Sequence, residues 1–328
     1  MSFLYSFGNP NSAISSKNDG LKSTALKNTN EIVKSKVTFF KDAYNWIPSF
    51  CGYDWKLIDM QIASRRFDME EPLPNYVDLR ANFPQIQSMH PFPFNPIISV
   101  LYVAHYQLLR NGLPVFPLSA MYIYKNLQFY RNVSSLFSFE CIFRTIQNAG
   151  LCSENDFRTN KESLERMDML PNDLVEKSRA FQFIDIYRVD HNLELIKRLI
   201  KNEIPVLCGF VVYYDMAGIQ THMYMPIPER EQKLGGLTGV LVGYIEERKT
   251  FIMTTTFGSK YGSSGYVFVP YTYITDPRLT MELYVMDFQK DRVESYILQR
   301  KKMTELETTE LKQSAKKYKR DDFGGLFK

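Results

Sequence analysis

Four cysteines and four histidines in 328 residues leave little from which to build a redox or metal centre. Cys51, Cys141, Cys152 and Cys208 are unevenly spaced with no C-x-x-C pair, and each histidine stands alone. Neither a disulfide framework nor a zinc site is indicated, and no cofactor is expected. Long apolar runs are missing as well: nothing approaches the roughly 20 residues that span a bilayer. The opening stretch MSFLYSFGNPNSAISS lacks both a basic leader and a continuous apolar segment. The chain therefore reads as intracellular, without a membrane span or secretion signal. Charge of one sign is also in short supply, since a net charge of +4 by itself specifies no polyanionic partner.

The chain does have a 45% hydrophobic and 14% aromatic composition, enough for one large core or two lobes with a cleft. Its charge is uneven. Residues 1–40 carry +3, residues 299–328 carry +4, and the body between them carries −3. Residues 1–38 are dominated by Asn, Ser, Thr, Lys and Gly, which bury too little apolar area to offset ordering entropy, so they read as a flexible arm. Residues 300–328 form a basic tail that could be a polar helix, with Met303, Leu306 and Leu311 making a thin apolar stripe. Both ends carry aromatic clusters, Phe3, Tyr5 and Phe7 at one and Phe323, Leu326 and Phe327 at the other. Held on polar spacers, these are candidate anchors for a partner protein, with folding back onto their own domain as the alternative. The basic arms could also touch nucleic acid or an anionic membrane, although solvated tails without a target are commoner.

The body, residues 39–299, divides by period. A lead-in occupies 39–72, a helical part about 73–200 and a β part about 201–299. Asn95–Gly112 is the clearest helix: Asn95 suits an N-cap, Pro96 the first turn, and Asn111-Gly112 with Pro114 the stop. It is apolar on nearly every face, as a central helix is. Further helices are expected near 119–126, 139–148 and 191–201. Short β-branched or aromatic runs at 204–214, 237–244, 250–255 and 265–270 read as strands. Helices followed by an antiparallel sheet make an α+β fold, and the interface of the two lobes is the default ligand site.

The order Val77-Asp-Leu-Arg80, a proline-rich loop, the central helix, Gly150-Leu-Cys-Ser-Glu154, Ile204-Pro-Val206, Gly235-Gly236 with Val242-Gly-Tyr244, Phe257-Gly258, Tyr261-Gly262, Gly265-Tyr266 and Pro270-Tyr-Thr-Tyr273 resembles the papain-like cysteine peptidases. It is closest in pattern to their bacterial and large-virus branch. The resemblance covers about Leu73 to Met286 and implies a two-lobe fold, a helical lobe followed by an antiparallel, barrel-like β lobe. Tyr44-Asn-Trp-Ile-Pro-Ser49 is similar to the short lead-in of that branch, and no zymogen step is expected.

The family's chemistry needs a thiolate at the start of the central helix, an imidazole across the cleft, an amide to orient it and a glutamine for the oxyanion hole. Carried over by resemblance, the nucleophile falls on Asn95, the base on Leu237, the orienter on Thr255 and the oxyanion donor on Met89. All four are changed, and the tryptophan that shields base and orienter is replaced by Phe257. Cys208 lies in the apolar run IPVLCGFVVYY and reads as a small buried hydrophobe. His90, His105 and His222 read as structural or surface groups.

The expectation is a catalytically inactive papain-like protein with a structural, scaffold or assembly role, its partners other proteins. The Asn-, Lys- and Ile-rich composition of AT-rich genomes and the large-virus resemblance suggest a particle of a large DNA virus as the setting. Two alternatives stay open. One is a pseudoenzyme that still holds peptide in the old cleft, the other an active peptidase with relocated residues.

Overall fold

Proline-rich extended chain gives way to helix at Asn95, where Pro96 sets φ for the first turn and gives up an N–H that has no intrahelical acceptor. The resulting sixteen-residue helix is the axis of the computed structural model. The structure describes residues 45–49, 55–65, 71–86, 88, 92, 94–130, 137–165, 170–213, 224–225, 227 and 233–321, with the backbone course alone at 129–130, 307 and 311–321. All of these lie in the compact unit Lys41–Lys328.

In chain order the elements are β1 (Lys56–Ile58), α1 (Met60–Ser64), β2 (Tyr76–Asp78), α2 (Asn95–Arg110), α3 (Ala120–Tyr130), α4 (Phe139–Ala149), α5 (Lys161–Glu165), α6 (Asn172–Ser178), β3 (Ile184–Val189), α7 (Leu193–Lys201), β4 (Val206–Tyr213), β5 (Lys233–Ile245), β6 (Thr250–Thr254), β7 (Tyr266–Pro270), α8 (Tyr271–Thr275), β8 (Thr280–Phe288) and α9 (Lys290–Asp321). The strands form one sheet in the order β1-β3-β8-β4-β5-β6-β7, with β2 added to β5. Its pairings are antiparallel except that of β1 with β3. Helix α2 packs against β5, β8 and β4 on one side and α3 and α4 on the other. That position explains why Ile97, Val100, Ala104 and Leu108 are all completely buried.

The α+β two-lobe architecture expected from the sequence is present. The expected helices correspond to α3, α4 and α7, and the expected strands to β4 through β7. Strands β3 and β8 escaped notice because charged residues interrupt them, Asp185 and Arg188 in IDIYRV and Glu282 and Asp287 in TMELYVMDF. One expectation is corrected at α2. The N-cap position is Phe94, with no side-chain bond to the helix, and Asn95 is already helical. The Asn95 side chain is drawn away from its own helix end by partners on the sheet.

Helix α9 begins inside the body at Lys290 and runs unbroken past residue 300, where the sequence reading started the tail. Its first turns are tied down: Val293 is buried, the Tyr296 hydroxyl donates to the Glu176 carbonyl at 3.0 Å, and Arg292 lies over the Phe183 ring at 4.3 Å. Farther along, Leu298, Met303 and Leu306 are exposed. The aromatic clusters Phe3, Tyr5, Phe7 and Phe323, Leu326, Phe327 lie outside the described residues, as do Met89, His90, His222 and Cys51.

Candidate functional site at the lobe junction

The first turn of α2 points into the sheet, and Asn95, 3% exposed, is enclosed there. Its side chain is saturated. Oδ1 accepts from the Thr238 backbone N–H at 3.0 Å and lies 3.0 Å from the Thr238 hydroxyl. Nδ2 donates to Thr256 Oγ1 at 2.7 Å and to the Thr238 carbonyl at 3.4 Å. Two donors and two acceptor sites are thus all in use. The Thr238 hydroxyl also lies 2.8 Å from Ser99 Oγ, one helical turn along α2. The network joins the helical lobe to β5 and to the chain after β6 without an ionisable group.

Three of the four positions singled out in the sequence therefore meet. Asn95 holds the residue that follows Leu237 and the residue that follows Thr255. Leu237 pairs with Phe210 across β4 and β5. Thr255 is buried, and its N–H donates to the Gly265 carbonyl at 2.9 Å. Leu237 and Thr255, with Phe210, Phe257 and Tyr261, line a cavity of about 20 Å³, room for about one water. Phe257 stands beside Tyr261 with ring centroids 4.8 Å apart, and its backbone forms a bridge to Ser88, just before the Met89 position. Among the described residues, Asn95, Leu237, Thr238, Thr255 and Thr256 offer no side chain that exchanges a proton at neutral pH.

Cys208 is close in sequence to the strand crossing but is completely buried, its Sγ 3.4 Å from the Gly239 carbonyl. Burial pushes its thiol well above the usual range, and that of Cys152 up to about 11. Neither is a ready nucleophile. Among the described residues no group of His, Cys, Asp and Glu is placed to hold a metal ion, and no helix there is long and apolar enough to cross a membrane.

A further component is the lead-in noted at Tyr44–Ser49, whose place between the lobes was not legible in the sequence. Residues 45–49 lie as a strap between the lobes. Trp46 N–H donates to the Gly236 carbonyl at 3.3 Å, immediately before Leu237. On the helical side, Ile47 N–H donates to the Phe137 carbonyl at 3.1 Å, and Phe137 N–H to the Asn45 carbonyl at 3.0 Å. The Trp46 indole fills a slot walled by two glycines. A Cβ on Gly209 would come within 2.2 Å of the ring, and one on Gly236 within 2.2 Å of the Trp46 carbonyl oxygen. Phe139 closes the slot at 5.8 Å between ring centroids. Glu282 Oε1 then accepts from Ser49 N–H at 2.9 Å, while Oε2 is buried without a partner. Burial raises the Glu282 carboxyl above the usual carboxylate range, and its bonds from Ser49 and Tyr284 only partly oppose this. The signals were present but unpaired in the sequence: glycines inside strands often mark a close approach, and Trp46 is one of two tryptophans.

Two outcomes follow from this geometry. Asn95→Ala leaves the buried Thr238 N–H without its acceptor and should cost about 2–3 kcal/mol in urea unfolding, more than the roughly 1 kcal/mol of a helix cap. A loss at the cap value would show that the network does not couple the lobes. For Glu282, the raised folded pKa means that the unfolded state gives up its proton at lower pH than the native state does. Its stabilising contribution is full below the unfolded pKa of about 4.3 and is lost as pH rises through the folded value. Glu282→Gln should therefore flatten the decline in melting temperature between acid and neutral pH, and an unaltered pH profile would contradict the burial argument.

No family model matches the chain. Over 163 residues it is 29% identical to a peptidase C1-like protein of Acanthamoeba polyphaga mimivirus, a match covering 46% of this chain and 51% of that protein. The chain thus spans about half the length of this curated relative. Among solved structures it is similar to xylellain, a cysteine protease from Xylella fastidiosa, with a TM-score of 0.65 and 18% identity over 76% of this chain and 97% of that one. It is also similar to procathepsin L2 from the larval midgut of Tenebrio molitor, with a TM-score of 0.61 and 12% identity over 81% and 90% of the respective chains. Identities this low speak for the fold alone. The chain accordingly has the fold of the papain-like cysteine proteases, and its sequence is similar to a peptidase C1-like protein of a large virus.

Proposed function

We propose that this chain is a catalytically inactive papain-like protein that serves as a structural or assembly component, in the setting of a large DNA virus particle. The observation that carries the reading is the Asn95 side chain. It stands at the start of the central helix, where a papain-like peptidase would place its nucleophile, and all of its hydrogen-bonding capacity is spent on Thr238 and Thr256. Leu237 and Thr255, the positions assigned to base and orienter, line a cavity with room for about one water. Loss of a whole catalytic set costs around six orders of magnitude in a serine-protease example, so no useful turnover is expected. The mimivirus relative supports the viral setting.

The reading in which the old cleft still holds peptide is weakened by the strap. Asn45–Ser49 already makes main-chain bonds to Gly236 and Phe137, one on each lobe, and Trp46 fills the space between them. A peptide would have to displace it. Relocated catalysis at Cys141, Cys152 or Cys208 is disfavoured by their burial. Partner contacts then fall to the outer faces and the two arms, where Phe3, Tyr5, Phe7, Phe323, Leu326 and Phe327 are the proposed anchors and the lysines add charge complementarity.

Two experiments test this. An active-site-directed thiol reagent should not label the full-length chain stoichiometrically, unstructured peptides should not be cleaved, and Asn95→Cys alone should restore no turnover because residue 237 remains leucine. Hydrolysis accompanied by labelling of a single cysteine would overturn the inactivity. Separately, deleting residues 1–36 or 319–328 should leave the melting of the body nearly unchanged and lower recovery of the chain in its assembly, with added salt weakening it further. Full recovery of both truncated chains would move the interface to the lobes.

A further inference from the structure

The helical lobe holds a second cavity, which shares no lining residue with the one at Leu237 and Thr255. It encloses about 380 Å³, within the range of about 300–1,000 Å³ usual for small-molecule sites. Its floor is apolar and buried, built by Ile98, Leu101 and Tyr102 of α2 and Ala120 of α3. Gln85, Ser88 and Pro117 are exposed and form its mouth.

Glu154 and Thr159 supply polar groups on one side of the cavity. Glu154 N–H donates to the Pro117 carbonyl at 2.7 Å and Ser119 N–H to the Cys152 carbonyl at 2.9 Å, so the two segments flanking the cavity are fixed to each other. The Glu154 carboxylate is fixed in turn by the backbone N–H and the hydroxyl of Thr159. These two bonds leave about half of the acceptor capacity of a carboxylate unused. Among the described residues no lysine or arginine forms an ion pair with Glu154. The other side chain here that could carry charge is His105, and burial lowers its pKa, with a hydrogen bond at the Phe116 backbone acting the other way. Among the described lining residues no cationic side chain therefore faces the Glu154 carboxyl. A partly buried carboxylate, oriented and lacking a counter-cation, faces a cavity with an apolar floor.

We infer that this pocket binds a small organic amine, its aromatic or aliphatic body on Ile98, Leu101, Phe92 and Leu118 and its ammonium on the Glu154 carboxylate. Phe92 suits the task because it is stacked on Phe94, with centroids 5.2 Å apart and planes 11° from parallel, and presents a fixed ring to the cavity.

The test is calorimetric titration of the full chain at pH 7 with three probes of similar shape: 2-phenylethylamine, 2-phenylethanol and 3-phenylpropionate. A charge-assisted hydrogen bond should make the amine bind about tenfold or more tightly than the alcohol, and the anion should show no binding. Glu154→Gln, which keeps an acceptor for Thr159, should erase the preference for the amine. Leu118→Trp, from a half-exposed part of the wall, should weaken amine and alcohol together by filling the cavity. Melting curves establish that each variant is folded. Equal affinity for all three probes, no heat of binding from the amine at millimolar concentration, or an amine preference that survives Glu154→Gln would each overturn the assignment.

Discussion

Where a helix end abuts a strand inside a protein, several backbone polar groups lose water at once and must find partners. At the start of α2 one side chain meets that requirement. The Asn95 amide takes the Thr238 N–H and donates to Thr256 and to the Thr238 carbonyl, so the helical lobe and the sheet are joined by neutral groups. A thiolate–imidazolium pair at the same place would have to be kept charged and partly solvated to function. A neutral, saturated network can be sealed. The burial of Asn95, Ser99, Thr238, Thr255 and Thr256 together, each no more than 5% exposed, is the outcome.

The strap and the polar network act on the same junction from two directions. The network fixes β5 at Thr238, and the strap covers β5 at Gly236, two residues away. Between them lies Leu237, with its neighbours on both sides held by hydrogen bonds. The fold of a cleft and the side chains that line it are separable, since framework residues govern the first and a few polar side chains the second. Helix α9 adds a different use of the scaffold, carrying exposed Met303 and Leu306 away from the body on a helix anchored by Val293 and Tyr296.

Local order was legible in the sequence, and partnership was not. Helix α2 could be read from Asn95-Pro96 and an all-round apolar face, and β4 to β7 from their β-branched runs, because these signals lie within a few residues of one another. The role of Asn95 could not: its partners Thr238 and Thr256 are 143 and 161 positions away, and a residue that looks like a good cap gives no sign of being claimed by another element. The same distance hid the slot for Trp46. Strands β3 and β8 were missed for a local reason, since their charged residues break the apolar pattern. The resemblance to papain-like peptidases, spread over many weak motifs, reached the fold because it integrates over the stretch from about Leu73 to Met286.

The Trp46 slot also imposes an order in time. Its indole leaves the ribosome some 160 residues before Gly209 and 190 before Gly236, and until β4 and β5 exist there is no surface to receive it. Docking of the strap therefore requires the sheet to be assembled first and closes one of the longest loops in the chain, a slow class of contact in folding. Until those strands pair, Trp46 has no groove to enter, and the groove exists only from the moment Gly209 and Gly236 are brought side by side. Strap insertion thus cannot precede the pairing of β4 with β5, and it joins the first described residues of the body to two of its central strands.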